Sequence, residues 1–243
     1  MPWAILATVM ALLGAIFAHI SDACALVGAD VADRTIARYT VLVAGKKGRC
    51  SGVVLAQTIV LTAAHCMLPG EKLRVGGNLT GDDRVPPALL TDVEEIVKHP
   101  LYRREDAGSP DLAVLRLAKP LPDRFIPAEL SPRGIADGDA LIAAGYGKTS
   151  MKETAPKPAL RMVLLRVTQT FRGWMILSSI TEDASGGGPG DSGGPVFTYR
   201  GMHTLAGLII GVSEKRTKVL ALSAHYTWIR ETQEKMQGQL SAR

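Results

Sequence analysis

Residues 188–195 read Gly-Pro-Gly-Asp-Ser-Gly-Gly-Pro, which sets the hydroxyl of Ser192 in a turn of glycine and proline. Residues 62–66 read Thr-Ala-Ala-His-Cys and set His65 beside a cysteine. Between them, residues 110–117 read Pro-Asp-Leu-Ala-Val-Leu-Arg-Leu, in which Asp111 opens an apolar run. A serine hydroxyl is a poor nucleophile at neutral pH. It attacks a carbonyl when a base stands within hydrogen-bond reach and a third group orients that base. The imidazole must be neutral to take the proton, so the activity of such a site rises with pH. Each residue also has a plain reading: a satisfied histidine, a strand-opening turn residue, a glycine-rich turn. Asp106 is the nearest rival to Asp111, but only Asp111 leads directly into an apolar strand.

The order His65, Asp111, Ser192 and the segments around them resemble the trypsin/chymotrypsin family of secreted serine endopeptidases. Subtilisins run Asp, His, Ser and α/β-hydrolases Ser, Asp, His. The resemblance extends from about Leu26 to the stretch near Trp228. It implies Ser192 as nucleophile, His65 as general base and then acid, and Asp111 as the carboxylate that fixes the imidazole tautomer. It implies an oxyanion hole made by the backbone N–H groups of Gly190 and Ser192. Asp191 would pair with the α-ammonium of the mature chain. Leu26-Val27-Gly28-Ala29 stands where that terminus should begin, the alternative being that it is an early strand. Gly186 would lie at the base of the specificity pocket, with Val212 and Thr217 narrowing its wall; Asp183 reaches the pocket only if the alignment shifts. Ile210-Gly211-Val212 stands where the family carries Ser-Trp-Gly, so a hydrogen bond supporting the aspartate is removed. These residues imply a preference for small or medium apolar side chains.

The chain opens on an apolar stretch from Trp3 to Phe17 and reaches Ala23-Cys24-Ala25, a small-residue pattern that signal peptidase accepts. Residues 1–25 hold no Lys or Arg, and the stretch is short for a bilayer span. The expectation is a signal peptide over 1–25 and a secreted or periplasmic protein, with an uncleaved anchor as the alternative. Cleavage after Ala25 would release Leu26 without a zymogen stage. It would also remove Cys24 and leave Cys50 and Cys66 as an even pair. Their spacing resembles the family disulfide that ties the histidine loop to an adjacent strand, which an oxidising compartment permits.

Something must hold these residues together. The 25 glycines, 14 prolines and 5% aromatic content fit a turn-rich β fold. Strands are expected over 39–45, 51–62, 72–75, 91–98, 111–117, 139–145, 160–168, 174–179, 195–199, 205–212 and 218–223. Residues 148–158 read as an exposed loop. Residues 118–135 hold four prolines without a clean period and form the expected crossing. From about His225 to Gln239 the composition is helical, with Trp228 and Ile229 turned inward. The expected fold is all-β: two packed six-stranded antiparallel Greek-key barrels and a C-terminal helix. The mature domain is expected over 26–243, with one barrel over about 26–118 and the other, with the helix, over about 136–240.

A net charge of +5 without a basic run argues against nucleic acid as a partner. No metal-ligand cluster or cofactor site is evident, and Asp82-Asp83 reads as a solvated turn. Asn78-Leu79-Thr80 is a glycosylation sequon that matters only in a eukaryotic secretory pathway. The expected partner is a protein or peptide substrate, met by a monomer without stable membrane association once the leader is cleaved. Two other readings stand beside the protease: a non-catalytic binding protein of the same fold, and a membrane-tethered latent protease.

Overall fold

The computed structural model describes residues 30–78, 85–148, 159–180, 188–199, 204–213 and 216–241. Strands β2 (Thr40–Ala44), β3 (Arg49–Ala56), β4 (Ile59–Thr62), β5 (Arg74–Gly76), β6 (Thr91–Lys98) and β7 (Ala113–Leu117) close a barrel in the order β2-β3-β4-β7-β6-β5. The apolar run over 51–62 divides at Gln57 and Thr58, so that β3 folds back on β4 with Val53 opposite Leu61. Both faces of β2 are buried. Val41 and Val43 point into the barrel with Val54, Val60 and Leu115, while Leu42 faces the second barrel with Val53 and Leu61. That explains an unbroken apolar run where a one-sided strand would alternate. β6 does alternate between half-buried and exposed positions, as a strand with one wet face must.

The second barrel contains β8 (Ala140–Gly145), β9 (Arg161–Phe171), β10 (Trp174–Ser179), β11 (Pro195–Thr198), β12 (Leu205–Ser213) and β13 (Arg216–Ala221). It closes because β8 pairs with both β9 and β11. The short β1 (Asp30–Val31) adds to β9, and α1 (Arg34–Ala37) is capped by the Asp33 carboxylate, which accepts from Ile36 N at 2.8 Å. Neither element has a signal in apolar periodicity. The crossing is stitched to both barrels: Ala128 N donates to Val54 O at 2.8 Å, and Ser131 N to Leu205 O at 2.9 Å.

The C-terminal helix α2 (Tyr226–Ser241) buries Ile229 and Met236 against the inter-barrel core. Gln233 donates to Leu55 O at 3.0 Å, which fastens the helix to the first barrel. Among the described residues, no helix is long and apolar enough to cross a membrane.

Candidate active site

Thr62 at the end of β4 pairs with Ala113 at the start of β7. His65 follows one strand and Asp111 precedes the other, so this single register brings them together. His65 N–H donates to Asp111 Oδ1 at 2.8 Å, and His65 Nδ1 lies 2.5 Å from Asp111 Oδ2. Both carboxylate oxygens thus hold one residue, by its backbone and by its ring. An acceptor at Nδ1 favours the tautomer with the proton there and leaves Nε2 as the basic nitrogen. The histidine side chain is 32% exposed and the aspartate 14%, so a substrate can reach the first but not the second. Ile210 packs against the inter-barrel core.

Ser192 arrives from the second barrel on the turn before β11. Most polar groups of this turn are taken. Ser51 N donates to Ser192 O at 2.8 Å, Gly193 N to Ile209 O at 2.7 Å, and Gly194 N to Asp191 O at 2.8 Å. The Ser51 hydroxyl donates to Gly190 O at 2.9 Å and accepts from Tyr146 N at 2.8 Å. Among the described residues, the N–H groups of Gly190 and Ser192 donate to nothing, and they are the two expected to receive an oxyanion. Glycine is required twice here. Gly190 has φ +105, and Gly193 has φ +80 with its missing Cβ aimed at Thr62 Oγ1 and Ser51 O. His65 and Ser192 line one cavity of about 290 Å³ with Gly190, Arg49 and the Cys50–Cys66 disulfide. Among the described residues, no hydrogen bond yet joins the Ser192 hydroxyl to the imidazole.

Asp191 is fully buried behind the turn. Its oxygens accept from Gly147 N and Gly188 N, each at 2.8 Å. Burial pushes the carboxyl up to about 6, while those two N–H groups and the Arg49 guanidinium act in the opposite direction. A Cβ on Gly145 or Gly147 would strike this carboxylate. Leu26, its expected partner, lies outside the described residues, as do Gly186, Asp183 and the 1–25 leader. Val212 and Thr217 stand opposite each other across β12 and β13. Thr217 is buried, and Val212 packs on the core of the second barrel.

Potential metal ligands converge at Cys50, His65 and Cys66, but the two sulfurs are joined in the disulfide and offer no thiolate. Ser51, Arg49 and Gly147 are site residues that sequence reading missed. Ser51 sits mid-strand after a cysteine, and nothing in its neighbours marks it.

The family model described as Trypsin matches residues 26–229. Vitamin K-dependent protein C of Rattus norvegicus is 31% identical over 187 residues, which cover 68% of this chain and 40% of the relative. The chain thus spans less than half the length of the protein C relatives it matches. Granzyme M of Rattus norvegicus is 30% identical over 210 residues, covering 76% of this chain and 80% of that protein. The solved structure of neuropsin, a serine protease expressed in the limbic system of mouse brain, superimposes with a TM-score of 0.69 at 20% identity. It covers 85% of this chain and 99% of its own, and at that identity it speaks for the fold alone. Fold, site geometry and the family match agree, and the chain belongs to the trypsin family of serine proteases.

Proposed function

We propose that the chain is a secreted serine endopeptidase acting through His65, Asp111 and Ser192. In the first step Ser192 Oγ adds to the substrate carbonyl carbon while His65 Nε2 takes the hydroxyl proton. The oxyanion accepts from the N–H groups of Gly190 and Ser192. His65 then gives the proton to the leaving nitrogen, the C–N bond breaks, and an acyl-enzyme remains. Water attacks the ester with His65 again as base. Asp111 stabilises the imidazolium that forms in each step. The Ser192–His65 hydrogen bond forms once substrate fills the cleft. The observation that carries this reading is the meeting, on one cavity wall, of a doubly held His65 with a serine flanked by two undonated N–H groups.

β11 pairs with β12 only as far as Leu208, and β13 occupies the other edge of β12 up to Ser213. From Ile210 to Ser213 one edge is open among the described residues, and an extended substrate can add to it as a strand. Val212 and Thr217 next to that edge support a preference for small or medium apolar side chains before the scissile bond. We further infer that residues 1–25 are a signal peptide, that residues 26–243 form the mature domain, and that Leu26 supplies the ammonium for Asp191. The mature protein is then an extracytoplasmic monomer. A peptide library tests the reading. Cleavage should follow residues such as Ala and Val and vanish in Ser192→Ala. No cleavage would contradict the peptidase, and cleavage only after Arg or Lys would contradict the pocket.

A further inference from the structure

We propose that Lys218 selects an acidic side chain on the acyl side of the scissile bond. This rests on the peptidase reading, because it names the substrate that the same cleft takes. Lys218 lies on β13 directly opposite Gly211 of β12. A Cβ built on Gly211 would stand 3.6 Å from Lys218 Cβ, so any side chain at 211 would spread over the lysine. Glycine leaves the lysine stem uncovered. Its ammonium reaches the loop between β6 and β7 of the first barrel and donates to Ala107 O at 2.6 Å. It also sits 4.8 Å from the centre of the Trp174 ring.

Ala107 belongs to the loop that leads into Asp111, and Arg104 of that loop reaches back toward His65 O at 3.4 Å. The ammonium therefore bridges β13 and the loop that leads into Asp111, next to Gly211 on the open edge of β12. Its known partners are a carbonyl and a ring. Among the described residues, no carboxylate stands within ion-pair distance of it, and Asp106 is turned to Gly108 N at 2.8 Å within its own loop. An ammonium has three donors, and the carbonyl takes one.

A substrate strand added to β12 places the residue whose carbonyl is attacked beside Ser192. The residue just before it lies over Gly211. Side chains alternate along a strand, so the second and fourth residues before the scissile bond share the face toward Lys218. A carboxylate there meets the two remaining donors in a partly desolvated cleft. A cationic side chain meets a like charge.

The test separates binding from catalysis. Fluorescein-labelled heptapeptides with Glu, Gln or Lys at the second and fourth positions are titrated by anisotropy against the Ser192→Ala protein, which binds without cutting. The Glu peptide should bind about fivefold more tightly than the Gln peptide, the gain of one partly exposed ion pair, and the gap should narrow at high salt. Lys218→Gln should abolish the difference, Lys218→Arg should keep it, and Lys218→Glu should turn it toward the Lys peptide. Equal or absent binding of the Glu and Gln peptides, or a preference surviving in Lys218→Gln, overturns the proposal. Labelling of wild-type Ser192 by a fluorophosphonate is read in parallel. A failure there overturns the peptidase and leaves a measured charge preference standing, whereas labelling without a charge preference overturns only the role of Lys218.

Discussion

The Ser51 hydroxyl donates to the Gly190 carbonyl at 2.9 Å. One residue of the first barrel thereby fixes the peptide plane next to an expected oxyanion donor of the second. The same hydroxyl accepts from Tyr146 N, and Ser51 N–H holds Ser192 O. Ser51→Ala leaves a buried N–H and a carbonyl without partners. We expect a loss of about 1–3 kcal/mol in unfolding free energy. We also expect a fall in kcat of about tenfold as the Gly190 peptide loosens, smaller than the loss of a donor itself. Urea unfolding and ester hydrolysis measure the two.

Asp111→Asn keeps the shape of the site but reverses the tautomer logic, since an amide N–H can face His65 Nδ1. A fall in kcat on the order of 10⁴ is expected, with fold and stability nearly intact. Circular dichroism and steady-state kinetics on the same preparation would check both halves.

The Asp191 carboxyl is pushed up to about 6 by burial, above its ordinary value of 3.8. The fold therefore binds that proton more tightly than the unfolded chain does. The resulting stability is fully present below the ordinary carboxylate range and is lost as pH rises through about 6. In a chain still carrying residues 1–25, Asp191→Asn should remove a loss of about 3 kcal/mol between those limits. A chain beginning at Leu26 should show a smaller loss, because its ammonium favours the charged carboxylate. Unfolding midpoints across pH for the two chain lengths and the variant decide it.

Cys50 and Cys66, separated by 16 positions, close the loop that carries His65. Replacing both with Ser should cost about 3 kcal/mol, most of it through the unfolded chain. Thermal unfolding of the double variant, compared with wild type under non-reducing conditions, reads this directly.

Much of this architecture was legible in advance because the elements are long enough to carry a pattern. β6 over Thr91–Lys98 and β10 over Trp174–Ser179 fall where their patterns put them, and α2 ends within two residues of its expected limit. β1 has two residues and α1 four, too few for any period to register. The site divides in the same way. His65 and Ser192 stand in distinctive local segments. Ser51, Arg49 and Lys218 do not, because their positions follow from strand register and from barrel meeting barrel. Val41 and Leu42 show the same limit in the core: adjacent apolar residues whose opposite destinations only the closed barrel reveals.

On the peptidase reading, Ser192 is a nucleophile activated by His65. Intact mass spectrometry before and after a fluorophosphonate tests it most directly, with the labelled peptide mapped after digestion. One stoichiometric adduct on Ser192, absent in Ser192→Ala and strongly reduced in His65→Ala, is the predicted result. No adduct on the folded mature protein, or an adduct that persists in Ser192→Ala, would contradict it.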